Sequence, residues 1–255
     1  MDAPLTRQSP RRLDVGQVDV WLTLLSDIDD DLQRAYHRLL SDAERARWQR
    51  FRVPSPQLQF LVARALLRTR LSQYADASEH SWQFDANKQG RPFISQPSRF
   101  RDLQFSLSHT DGLVACAIAK DCDIGIDVEN IRHAVNVDAL APSVLSATEL
   151  ASLTRSPPDE RGERFLSYWT LKEAYIKARG LGLSLPLDGF SFDLDAPSPR
   201  ISFTERCPDD PARWRFRQYR PTHEHKLAVA ASTTAGELDI RLCWVVPLMS
   251  DADVE

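Results

Sequence analysis

Asp123-Ile124-Gly125-Ile126-Asp127-Val128-Glu129 is the stretch around which the rest of the chain can be ordered. Apolar and acidic residues alternate from Ile126 to Glu129. In a strand, side chains two apart share a face. Asp127 and Glu129 therefore project together, with Ile126 and Val128 on the opposite side. Two carboxylates crowded on one face repel unless a cation stands between them. A hard divalent ion such as Mg2+ takes carboxylate oxygens together with substrate phosphates. The same alternation also describes a strand end meeting solvent, and D-x-E alone does not separate the two.

A second stretch runs Phe165-Leu166-Ser167-Tyr168-Trp169-Thr170-Leu171-Lys172-Glu173-Ala174-Tyr175-Ile176-Lys177-Ala178. Nothing in it breaks a helix before Gly180. Trp169, Glu173 and Lys177 stand four apart and share one stripe. Two readings are open. One is a buried Trp anchor with a Glu–Lys surface pair. The other makes Glu173 a third metal ligand or general base, and Lys177 a phosphate contact.

At 255 residues the chain can bury a sizeable core as one large domain or two small ones. A net charge of −4 argues against general nucleic-acid binding. Cys116, Cys122, Cys207 and Cys243 show no C-x-x-C pair and no metal spacing, which fits free thiols in a reducing compartment. Residues 1–12 are polar, read as a flexible arm and show no secretory signal. The longest apolar runs, such as 242–246, are strand length and too short to span a bilayer. The expectation is a soluble, cytoplasmic protein that binds neither nucleic acid nor membrane.

Strands are predicted at 18–24, 82–84, 103–108, 113–119, 190–194, 214–219, 227–231 and 240–246. Helices are predicted at 29–40, 41–51 and 57–74, with Pro54 and Pro56 interrupting between the last two. Residues 88–92 read as a turn, 154–161 as a loop and 249–255 as a frayed end. Ser41 with Glu44, and Ser146 with Glu149, are capping boxes. These two serines stand 105 residues apart, and so do Phe60 and Phe165. The echo implies a duplicated α+β unit: two similar α/β halves related by a pseudo-two-fold, with a cleft between them. At that offset Arg68 would correspond to Glu173. The halves divide at 1–120 and 121–255.

Taken together, these stretches resemble the Sfp-type phosphopantetheinyl transferases. Ile124 to Glu129 is similar to that family's metal-binding signature, and Trp169 to Lys177 to its W-x-x-K-E-A/S-x-x-K signature. Gly90-Arg91-Pro92 resembles its G-K-P turn, Phe105 to Thr110 its S-H-S strand end, and Gly182 to Leu187 its following loop. The similarity runs from about Ser41 to Ala231, in the family's order. It implies an active site in the cleft and a reaction in which a serine of an apo acyl or peptidyl carrier protein attacks the β-phosphate of coenzyme A. The phosphopantetheine arm moves and adenosine 3',5'-bisphosphate leaves.

By that resemblance Asp127, Glu129 and Glu173 hold Mg2+, with Mn2+ as a substitute. Glu173 also takes the serine proton. Lys172, Lys177 and His109 contact phosphate oxygens, Ser108 supports His109, and Gly90, Arg91 and Pro92 hold the adenine–ribose end. Trp169 packs the helix so that Glu173 is aimed. The chain departs from the pattern at Arg91, where the turn usually carries Lys, at Leu181, and at Gln59, where the family often has a basic residue. Arg47 or Arg64 would then take the ribose phosphate. The N-terminal half carries the adenine–ribose side and carrier docking, the C-terminal half the metal and the catalytic helix. Arg45, Arg47, Arg50 and Arg52 form a candidate docking patch for an acidic carrier; a solvated helix face reads the same way. Two halves in one chain imply a complete site within a monomer. Competing readings are a metal-dependent phosphodiesterase or nucleotide hydrolase using the same acids, and a non-catalytic coenzyme A-binding module.

Overall fold

The structure is a computed structural model describing residues 11–132, 136–233 and 238–249. Most of the expected N-terminal arm and C-terminal end lies outside the described residues. Arg11, which is described, is pinned: its N–H donates to Gln73 O at 2.6 Å and its guanidinium pairs with Asp19.

The chain runs β1 (Gln17–Leu24), α1 (Asp30–Leu39), α2 (Asp42–Trp48), α3 (Pro54–Tyr74), β2 (Gln83–Ala86), β3 (Pro92–Gln96), β4 (Leu103–Thr110) and β5 (Leu113–Lys120). It then repeats the order: β6 (Ile124–Asn130), α4 (Val137–Val144), α5 (Ala147–Arg155), α6 (Arg161–Arg179), β7 (Phe190–Asp193), β8 (Arg200–Phe203), β9 (Trp214–Thr222) and β10 (His225–Ser232). The pairing repeats as well. β1 is antiparallel to β5 and β5 to β4; β6 is antiparallel to β10 and β10 to β9. The same connectivity in both halves establishes the duplication. Both capping boxes form, at Ser41–Glu44 and Ser146–Glu149.

Several local readings change. Pro54 does not interrupt a helix but starts one, because a first-turn proline has no N–H to waste. β3, β8 and α4 had no expected counterpart. β3 and β8 are short, and both are only partly buried. α4 contains Pro142, which masks its helical pattern. The last strand, β11 (Asp239–Trp244), crosses back and pairs in parallel with β1. The division at 121–255 therefore fails at its far end, since β11 belongs to the N-terminal sheet.

Helices cover the outer face of each sheet and the inner faces pack together. α3 and the outer face of β1, β4 and β5 form one core; α6 and the outer face of β9 and β10 form a second. A third lies between the sheets, built from Val18, Val20, Leu22, Ile124, Ile126, Val128, Leu227 and Val229 among others. This alternation places Asp127 and Glu129 on the α6 side, as their spacing predicts.

One seam joins the halves without main-chain pairing. Ser106, Ser108 and Thr110 alternate along β4, and their hydroxyls accept the N–H groups of Ile126, Val128 and Asn130 on β6 at 3.1, 3.2 and 3.2 Å. Those β6 donors point away from β10 and would otherwise be buried and unpaired. The candidate site sits on this seam.

Candidate active site

Gly125 decides how close α6 comes to β6. A Cβ there would lie 1.9 Å from Ala174 O and 2.6 Å from Ala178 N, so any side chain would push the helix off the strand. With glycine in place, the stripe Trp169–Glu173–Lys177 faces Asp127 and Glu129.

Lys177 Nζ donates to Asp127 Oδ1 at 2.7 Å, Ser108 Oγ at 3.0 Å and Ile126 O at 3.1 Å. Ser108 in turn donates to Asp127 Oδ1 at 3.0 Å. Its hydroxyl accepts from Val128 and Lys177 and gives its proton to Asp127, so it is fully committed to holding Asp127 in place. At the other end of the stripe, Trp169 Nε1 donates to Glu129 Oε1 at 2.9 Å. Glu173 lies between. Burial first, and then the Asp127 carboxylate, hold its carboxyl above the ordinary range; Lys177 opposes and Glu129 adds to the rise.

Asp127 Oδ2 is buried without a hydrogen-bond partner. An orphaned carboxylate oxygen beside two further acids has the chemistry of a divalent-cation site. Among the described residues no three His, Cys, Asp or Glu side chains are already assembled as a ligand set. Instead, Asp127 Oδ1 and Glu129 Oε1 are held by Lys177 and Trp169. The donor types fit a hard cation, and the Asp127 and Glu129 carboxylates both act on Glu173.

His109, the next-to-last residue of β4, lies near this cluster and is exposed to solvent. Partial desolvation, followed by the Lys177 ammonium, lowers its pKa, and Arg47 adds to the effect. Arg47 and Arg64 both lie near Phe60, next to Gln59. Their guanidiniums share the Phe60 ring at 5.2 and 5.3 Å, and Arg64 Nη1 is buried and unpartnered. Gln59 itself is turned inward, donating to Ser55 Oγ and Asp111 Oδ1.

The Gly90 turn docks across the halves onto the end of α6. Asn87 Nδ2 donates to Gly180 O at 2.8 Å, and Arg91 Nη1 to Ala178 O at 2.6 Å. Gly180 takes a φ of 63°, closing the helix left-handed, and a Cβ there would strike Arg91. Arg91 thus spends one nitrogen on the helix end, while Nη2 is buried with no partner. Gly90 and Pro92 flank it, with Gly90 exposed.

Lys172 is not in the site. It is fully buried, pairs with Glu149 Oε2 at 2.8 Å and donates to the carbonyls of Leu187 and Phe190. Helix periodicity explains the error: Lys172 is one residue before Glu173, so it lies about 100° round the helix, on the core side.

Two family profiles match the chain. One described as the 4'-phosphopantetheinyl transferase superfamily matches residues 123–230, and one described as the 4'-phosphopantetheinyl transferase N-terminal region matches residues 28–121. The 4'-phosphopantetheinyl transferase HetI of Nostoc sp. is 35% identical over 202 residues, covering 76% of this chain and 84% of that protein. A 4'-phosphopantetheinyl transferase of Bacillus subtilis is 31% identical over 223 residues, covering 87% and 88%. The 4'-phosphopantetheinyl transferase Sfp of the same species is 29% identical, covering 76% and 82%.

The chain belongs to the 4'-phosphopantetheinyl transferase family. It is an enzyme that transfers phosphopantetheine to carrier proteins, with coenzyme A as the donor. Ser108 of one half meets Asp127 and Lys177 of the other across the seam between β4 and β6. Among its described residues, no helix is long and apolar enough to cross a membrane.

Sequence reasoning missed the hydroxyl seam, Gly125 and the Trp169–Glu129 bond. The first two left signals: a Ser-x-Ser-x-Thr run at strand period, and a glycine inside a strand. The third left none, because it depends on how far α6 slides along β6.

Proposed function

We propose that Asp127, Glu129 and Glu173 hold Mg2+, or Mn2+ in its place, against the pyrophosphate of coenzyme A. The carrying observation is the buried, unpartnered Asp127 Oδ2, beside two further acids and the Lys177 ammonium on the seam between the halves. When bound, the cation neutralises charge that develops on the phosphate oxygens.

This chain's residues then position the reactants. Lys177 lies where it can exchange Asp127 for a pyrophosphate oxygen. His109 donates to a phosphate, and Ser108 keeps Asp127 and Lys177 in register. Arg91 Nη2, Gly90 and Pro92 hold the adenine–ribose end, and Arg47 or Arg64 takes the ribose phosphate. The serine oxygen of the carrier bonds to the β-phosphorus, the bond to the bridging oxygen breaks, and adenosine 3',5'-bisphosphate leaves. Glu173 accepts the serine proton as general base.

The partner is an apo acyl or peptidyl carrier protein, met by the N-terminal half. Ala43, Ala46, Arg47, Arg50 and Phe51 line a shallow groove of about 600 Å³ along α2 and the residues that follow it. It combines apolar and basic character, as an acidic amphipathic helix requires. A single chain supplies both sides of the site, which supports a monomer as the working form.

The test is intact mass. Enzyme, Mg2+, coenzyme A and an apo carrier should give a carrier heavier by one phosphopantetheine and one equivalent of adenosine 3',5'-bisphosphate. Bisphosphate released at the same rate without carrier would overturn transfer in favour of hydrolysis.

A further inference from the structure

Trp169 carries a polar handle that packing alone does not require. Its ring stacks on Phe165, with centroids 6.4 Å apart and planes 20° from parallel. That contact is apolar and would survive replacement by another aromatic. The indole N–H does something different: it crosses from α6 to β6 and donates to Glu129 Oε1 at 2.9 Å.

The geometry of the stripe gives this bond its meaning. From Trp169 to Lys177 the helix advances about 12 Å, at roughly 1.5 Å per residue. From Asp127 to Glu129 the strand advances only about 6.8 Å. The two outer members of the stripe therefore reach inward toward the strand from both ends. Lys177 fixes Asp127 and Trp169 fixes Glu129, at 2.7 and 2.9 Å. Glu173 falls between them. An indole donor is neutral and rigid, with two rotatable bonds. It can orient a carboxylate without competing as a cation for the same site, as a lysine or arginine would.

We propose that Trp169 is a positioning residue for the divalent-cation site, its N–H turning the Glu129 carboxylate toward the ion shared with Asp127 and Glu173. This rests on the reading that those three acids bind a cation. Groups that orient metal ligands are commonly worth 10–100-fold in metal affinity.

The experiment titrates the metal-free, full-length enzyme with Mn2+ alone, followed by calorimetry and by the signal of free Mn2+ in electron paramagnetic resonance. Trp169→Phe keeps the stack on Phe165 and removes only the donor. It should weaken Mn2+ binding about 10-fold or more while the unfolding midpoint of the metal-free protein stays within a few degrees. In a Glu129→Ala background the same change should add nothing further. In the unmodified enzyme, the indole N–H resonance of Trp169 should move on addition of Mg2+ and stay fixed in Glu129→Ala. That measurement decides the matter even where Trp169→Phe folds poorly. Unchanged Mn2+ affinity in Trp169→Phe, or an indole resonance indifferent to Mg2+, overturns the role of Trp169. If Glu129→Ala itself binds Mn2+ like the unmodified enzyme, the ligand assignment fails and the proposal fails with it.

Discussion

The two halves share a fold, yet only one carries the acids. Their hairpins fix the alignment: Thr110 pairs with Leu113 in one half and Thr222 with His225 in the other, each across a two-residue turn. Following the pairing across, Leu24 on β1 matches Asn130 on β6. Asp19, Trp21 and Thr23 then stand where Gly125, Asp127 and Glu129 stand. On the long helices, Arg68 matches Lys172. Arg68 bonds Glu44 Oε2 and the carbonyls of Glu79 and Trp82, and Lys172 bonds Glu149 Oε2 and the carbonyls of Leu187 and Phe190. The expected equivalence of Arg68 with Glu173 was one residue out. Thr69 and Gln73 instead occupy the places of Glu173 and Lys177.

The difference is therefore chemical rather than architectural. Where the C-terminal half has Asp127, the N-terminal half has Trp21, buried and donating to Tyr74 OH at 2.9 Å, with Arg11 and Arg70 over its ring. Where it has Glu173, the N-terminal half has Thr69, folded back onto Ala65 O. Where α6 needs Gly125, β1 carries Asp19, fully buried and held by Arg11, Arg241 and Tyr74. One copy uses this face for packing. The other gathers Asp127, Glu129, Glu173 and Lys177 there.

The largest effect should come from erasing the difference at Gly125. Gly125→Ala should destabilise by about 3 kcal/mol or more, since the new methyl meets backbone that cannot yield. It should also lower kcat at least about 100-fold through displacement of α6. Asp19→Ala, its counterpart, should lower the unfolding midpoint but leave Mn2+ affinity unchanged. Loss of Mn2+ affinity there would mean that the halves do not divide the labour in this way.

Next is the shared feature, the buried ion pair. Lys172→Met should cost about 3–5 kcal/mol by leaving Glu149 uncompensated. Its effect should fall on stability and leave the KM for coenzyme A alone. A raised KM with an unchanged unfolding midpoint would return Lys172 to the site.

Glu173→Gln should reduce kcat about 100-fold or more, as expected on removing a general base. It also has a pH signature in the metal-free protein. The folded pKa of Glu173 lies above its ordinary value. The native state therefore pays a charge penalty that is absent below about pH 4.5, grows as pH rises through the folded pKa, and is complete above it. Glu173→Gln should accordingly unfold at a higher temperature than the unmodified protein at pH 8 and at the same temperature near pH 4. Thermal scans in chelator at both pH values check this; the same gap at both would mean that Glu173 is not perturbed by its neighbours.

The smallest effect is expected at the edge of the N-terminal half. Arg45→Glu with Arg50→Glu should raise the KM for carrier about 10-fold, mainly through slower association, with no change for coenzyme A. Arg45 is already paired with Asp42, so Arg50 should carry most of the effect.

Much of this was legible without coordinates. The period-two acids on β6, the four-residue stripe on α6 and both capping boxes are local patterns, set by the geometry of one strand or one helix. The repeated motif order even exposed the duplication. What the sequence could not determine was which residues on a helix face inward once it is packed. Lys172 and Glu173 are adjacent in the chain and both charged; the contact with Glu149 sends one into the core, while the stripe keeps the other at the seam. Nor could it decide that β11 returns to β1, or that serine and threonine hydroxyls rather than main chain join β4 to β6. Those features depend on distances between segments far apart in sequence, which only the folded packing fixes.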